Sequence, residues 1–163
     1  MHVIEKDDRS TEIRQQLRDM NVVSVASVDV LIDKCDVLSF HVPSDSETRG
    51  MVNAEFLHKL HSGTILINTA RGDLIDERAL VGALESKDLR VGLDVYGDEP
   101  ESSHGEFRSV LAKHKQVYGT HHIGASTLQA QTAVAEGVVE VILGFSDGRV
   151  INCVNMMDSP KSA

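Results

Sequence analysis

TILINTARGDLIDERALVGALES, residues 64–86, changes character in its middle. Thr64 to Ala70 is apolar or small on both faces, the pattern of a strand covered on both sides in a parallel sheet. Asp76 is then placed to cap a helix over ERALVGALES. A strand that runs through a short polar turn into a helix is the unit from which parallel sheets with crossover helices are built.

The same alternation continues in both directions. Upstream, DVLSFHV (36–42) reads as a buried strand ended by Pro43 and the polar loop SDSETRG. Asn53 can cap AEFLHKL, and the turn His61 to Gly63 closes that helix. Further upstream lie a short strand, Met1 to Ile4, and a helix from Ser10 with Ile13, Leu17 and Met20 on one face. The strand Val22 to Val25 follows, then a helix capped by Ser27 whose stripe of Val28, Leu31, Ile32 and Cys35 puts Cys35 in the core. Downstream, RVGLDV (90–95) is a strand, Tyr96 to Gly105 a polar loop, FRSVLAKHK (107–115) a short helix and QVYGT (116–120) the last strand of the sheet. A long helix, Thr127 to Phe145, has Ala133, Val134, Val138, Val141 and Ile142 on one face, and RVINCVN (149–155) reads as a closing strand. The fold class is α/β, with neither an internal repeat nor a linker rich in Pro, Gly or Ser.

Composition narrows the function. The 163 residues carry a net charge of −9 and no Lys/Arg cluster, which argues against nucleic acid. No stretch approaches the roughly 20 uncharged apolar residues of a membrane span, so no membrane role is expected. Cys35 and Cys153 stand apart without metal-ligand spacing, and the start MHVIEKDDRS lacks the features of a secretory signal, so a cytoplasmic location with reduced thiols is expected. The histidines His58, His61, His121 and His122 lack a plausible third ligand, so no metal is expected.

Ligands of open parallel sheets bind beyond the carboxyl ends of the strands. Arg71 follows TILINTA directly, Glu99 closes the loop after RVGLDV, and His121–His122 follow QVYGT. An arginine fork, a carboxylate and a histidine are the groups that proton-coupled oxidation of a hydroxy acid needs. Each also has a plainer reading: Arg71 as a surface partner of Asp73 or Asp76, Glu99 as a solvated loop carboxylate, and His122 as a partly buried ring.

Four ordered blocks sharpen the choice: FHVPSDSETRGMVN, LINTARGDLIDERALVGAL, VGLDVYGDEP and HHIGAST. Together they resemble the nucleotide-binding domain of the D-2-hydroxyacid dehydrogenases. HIGAST followed by LQAQ, with RVINCVN after the long helix, resembles the 3-phosphoglycerate dehydrogenase branch, whose reaction serves serine biosynthesis. The resemblance implies NAD as cofactor, a small 2-hydroxy or 2-oxo acid as substrate, and a homo-oligomer, commonly a homodimer. It implies that Arg71 binds the substrate carboxylate and carbonyl oxygen, that His122 exchanges the hydroxyl proton, and that Glu99 orients the imidazole. It further implies that Asp94 contacts the nicotinamide carboxamide and that Asp7 binds the adenosine ribose. Val42, Pro43, Thr69, Ala70, Gly124 and Ala125 line the cofactor groove in the same reading.

The expected architecture is therefore a parallel, doubly wound, Rossmann-like sheet. Residues 1–124 form a partial NAD-binding domain, and 125–163 a return helix and strand of the substrate domain plus a tail. The GxGxxG turn of the family and the strand before it have no counterpart in these residues. The expectation is a truncated form of a longer enzyme. A natural short form of the same fold, acting as a non-catalytic dimerising or corepressor-like module, is the alternative.

Overall fold

All strand pairs among the described residues of the computed structural model are parallel, as the switch from strand to helix at residues 64–86 requires. The structure describes residues 1–6, 9–100, 107 and 109–153. The chain divides into two compact units, 1–122 and 123–163.

Among its described residues the first unit holds six strands and four α-helices. In chain order they are β1 (His2–Ile4), α1 (Thr11–Asp19), β2 (Val23–Val25), α2 (Val28–Lys34), β3 (Val37–Phe40), α3 (Ala54–Lys59), β4 (Ile65–Asn68), α4 (Glu77–Ser86), β5 (Arg90–Leu93) and β6 (Val117–Gly119). Strands β3-β4-β5-β6 form one parallel sheet in sequence order, and β1-β2 form a separate parallel pair. The predicted doubly wound sheet is thus present as two pieces. The caps explain where the helices begin: Ser10, Ser27, Asn53 and Asp76 each accept a main-chain N–H of the first turn, as their residue types predict.

The core lies between the four-stranded sheet and its helices. Leu66 of β4, Val91 of β5, Leu57 of α3 and Leu80 and Leu84 of α4 are all buried. Strand β4 is internal, as expected, but only alternate residues are fully covered: Leu66 and Asn68 are buried, Ile65 and Ile67 half-buried. Cys35 is half-buried and packs against this core.

Several expectations are corrected. The apolar stripe of α1 is not covered, for Ile13 is 46% and Met20 68% exposed. FRSVLAKHK supplies only a 3-10 turn over Leu111–Lys113 among its described residues. Residues 149–153 form no strand; an extended segment becomes one only where a ladder partner accepts its hydrogen bonds, and among the described residues none does.

The second unit is dominated by α5 (Leu128–Ser146), capped by Thr127. Val134, Val138 and Ile142 of its predicted stripe are more than half exposed. By length and composition alone α5 is apolar enough to cross a membrane, contrary to the count of uncharged residues, which Glu136 and Glu140 interrupt.

Candidate active site at the strand ends

Because β4, β5 and β6 are parallel neighbours, the residues that follow them emerge at one edge of the sheet. Asn68, the last residue of β4, is 1% exposed. Its side-chain nitrogen donates to the Arg71 carbonyl (2.8 Å), and its side-chain oxygen accepts the Ala70 N–H (3.1 Å). This double bond clamps the turn that presents Arg71. Arg71 is exposed, and its guanidinium donates to the Ala70 carbonyl at 2.6 Å. The plain surface reading of Arg71 is not what the fold contains: Asp73 receives Arg49 (3.3 Å) and the Ser44 hydroxyl (2.6 Å), while Asp76 caps α4. Arg71 makes no ion pair among the described residues.

After β5, the buried Asp94 donates its N–H to the Asn68 carbonyl and accepts the Thr120 hydroxyl on its carboxylate. The chain then turns through Tyr96 and Gly97 to Glu99. Glu99 Oε1 accepts the Tyr96 N–H (2.5 Å), and Glu99 Oε2 faces His122 Nδ1 at 2.7 Å. An ionised carboxylate can only accept, so this contact selects, for the neutral ring, the tautomer with the proton on Nδ1 and the lone pair on Nε2. The His122 side chain is 53% exposed and Glu99 27%.

His122 has φ +56°, the left-handed region that L-residues seldom adopt. Its N–H donates to the Asp94 carbonyl at 2.7 Å, which holds it there. Strain retained at one residue beside a carboxylate–imidazole pair is the kind that sites store. Tyr96 is buried close by, and its hydroxyl is held above the ordinary tyrosine range by burial first, then by the charges of Glu77, Asp94 and Glu99.

The remaining predicted residues fall in different places. Val42 and Pro43 line a cleft of about 310 Å³ whose walls include Val3, Ile4, Leu38 and Phe40. Thr69 is exposed beside the clamped Ala70. Gly124 and Ala125 belong to the second unit, in the turn closed by Ser126 N–H on the Ile123 carbonyl. Asp7 lies outside the described residues. His121 is exposed and plays no part in the Glu99–His122 pair. The described residues include no group of three or more His, Cys, Asp or Glu side chains able to hold a metal ion.

Sequence reasoning missed Asn68, Thr120 and Glu77, whose Oε1 accepts the Gly97 N–H at 2.8 Å. A signal existed for the first, since an asparagine inside the apolar run ILIN needs a buried partner. For Thr120 and Glu77 the contact is made only across loops.

Residues 1–124 match the family model described as the NAD-binding domain of D-isomer specific 2-hydroxyacid dehydrogenases. The chain is 37% identical over 146 residues to D-3-phosphoglycerate dehydrogenase of Haemophilus influenzae, covering 88% of this chain and 36% of that protein. It is 41% identical over 121 residues to hydroxypyruvate reductase of Thermotoga maritima, covering 74% and 39% respectively. Among solved structures, a glyoxylate reductase from Paecilomyes thermophila superposes with a TM-score of 0.74 at 30% identity, over 94% of this chain and 44% of that one. The chain thus spans less than two-fifths of the length of these two curated relatives.

Proposed function

The chain belongs to the D-isomer specific 2-hydroxyacid dehydrogenases, in their NAD-binding domain, and we propose that its rim serves NAD-dependent oxidation of a D-2-hydroxy acid, 3-phosphoglycerate first among them. The observation that carries this reading is the Glu99–His122 pair at 2.7 Å, standing at one edge of the parallel sheet with Arg71, which makes no ion pair among the described residues. His122 Nε2 takes the hydroxyl proton, Glu99 holds the ring by Nδ1–H and stabilises the imidazolium, and the Arg71 fork swings from the Ala70 carbonyl to the substrate carboxylate.

NAD, when bound, accepts the hydride released from the substrate carbon. The residues present fit its nicotinamide end: Asp94 is 7% exposed at the strand end and fixed by Thr120, a stationary acceptor next to the His122 loop. Val42, Pro43, Thr69 and Ala70 are its further candidate lining in the first unit. The diphosphate end relies in this fold on the N–H groups of a glycine-rich turn, and the 163 residues contain no GxGxxG.

The deciding experiment combines NADH fluorescence titration with NADH production from D-3-phosphoglycerate and, separately, D-glycerate. Turnover that falls roughly 10²–10⁴-fold in His122→Ala is the expected result. Unchanged turnover in that variant removes His122 from the mechanism. The exposed Val134, Val138 and Ile142 of α5 favour a second reading, a non-catalytic assembly module, which predicts oligomers by light scattering and no response to NADH.

We place the protein in the cytoplasm as a homo-oligomer acting in serine biosynthesis. Helix α5 fits burial against protein better than lipid, because Glu136 and Glu140 lie at its middle and a charged side chain at a bilayer centre costs about 2.5–3.5 kcal/mol or more.

A further inference from the structure

Three segments meet around the Tyr96–Gly97 peptide unit and the Tyr96 N–H that precedes it. The Tyr96 N–H is taken by Glu99 Oε1 (2.5 Å), and the neighbouring Gly97 N–H by Glu77 Oε1 (2.8 Å). From a third side the main chain of Gly72 packs directly on the unit. A Cβ at residue 72 would stand 2.0 Å from both the carbonyl carbon and oxygen of Tyr96 and 2.6 Å from the Gly97 nitrogen. These neighbours are backbone, so no side-chain rotation could relieve the overlap. Gly72 adjoins Arg71, and Glu77 opens α4, so the loop carrying the arginine is locked to the loop carrying Glu99.

We propose that Gly72 and Glu77 are positioning residues: they hold the Tyr96–Gly97 peptide so that one Glu99 oxygen is occupied and the other is aimed at His122 Nδ1. Glu99 has two oxygens and, among the described residues, two partners for its side chain, Tyr96 N–H and His122 Nδ1. If the peptide moves, Glu99 follows it, and the imidazole loses the acceptor that selects its tautomer. The inference rests on the reading of Glu99–His122 as the acid–base pair.

The test reads the neutral His122 ring directly, by long-range proton–nitrogen correlation spectra of the intact chain. Glu99→Gln is the reference: removing the carboxylate should shift the ratio of Nδ1–H to Nε2–H tautomers by about tenfold, the worth of one hydrogen bond to a charged group. Glu77→Ala is expected to give a shift of the same sense. Glu77→Gln is expected to restore the wild-type ratio, since its amide oxygen can still accept the Gly97 N–H although the charge is gone. Gly72→Ala should reproduce Glu77→Ala. Should Gly72→Ala fail to fold, the comparison of the two Glu77 variants decides alone. A wild-type ratio in Glu77→Ala, or equal shifts in Glu77→Ala and Glu77→Gln, overturns the positioning role, the latter by exposing a pure charge effect. A wild-type ratio in Glu99→Gln removes the acid–base pair itself, and the positioning role with it.

Discussion

A left-handed histidine, a buried asparagine and a buried tyrosine set the chemistry of the rim. Asn68 clamps the main chain of Ala70 and Arg71, so the arginine reaches outward from a rigid turn. Lysine at 71 offers a point charge in place of a planar fork, and Arg71→Lys is expected to raise KM for the acid more than it lowers kcat, as steady-state kinetics would register. Tyr96 yields a prediction in alkali. Its folded-state hydroxyl is held above the ordinary value of about 10, chiefly by burial, so the folded chain binds the proton more tightly than the unfolded one. That contribution is fully present below about pH 10 and lost as pH rises through the higher folded value. Denaturant melts of Tyr96→Phe should therefore decline less steeply above about pH 10 than those of the parent. The placement of Arg71, Glu99 and His122 beyond the strand ends was legible in the sequence, because apolar runs mark where β4, β5 and β6 stop. The Asn68 clamp and the Gly72 contact were not, since both depend on how neighbouring loops close.

Among the elements, the helices are defined by their first turns. Asp76 accepts from both Arg78 and Ala79 N–H at 3.0 Å, and it separates the arginine turn from α4. Asp76→Ala should cost about 0.5–2 kcal/mol by thermal or urea unfolding. Its loss also frees the helix start that carries Glu77, so the stability change and the His122 tautomer shift should appear together. Strand positions were readable from apolar runs bounded by turn residues. The expected closing strand does not form over the described residues 149–153, because an apolar run states a preference for extension while the ladder is supplied by another part of a fold. The stripe of α5 was also correct as a pattern, yet periodicity names a face without naming what covers it.

For the molecule as a whole, the core sits under β3-β4-β5-β6, with Leu66 fully buried at its centre. Leu66→Ala should destabilise the chain by about 2–5 kcal/mol in urea unfolding. Helix α5 exposes Val134, Val138, Ile142 and Phe145, and the proposed homo-oligomer predicts that light scattering gives more than one chain mass, with Val138→Asp reducing it. The sequence by itself determined the alternation of strands and helices, the caps that start each helix, and the strand-following positions of Arg71, Glu99 and His122, because these depend on local spacing and residue type. Only the tertiary structure decided that the strands divide into a pair and a sheet of four, that Arg71 escapes its acidic neighbours, and that Glu99 meets His122. Those outcomes depend on pairing and packing between residues distant in the chain, which no local pattern encodes.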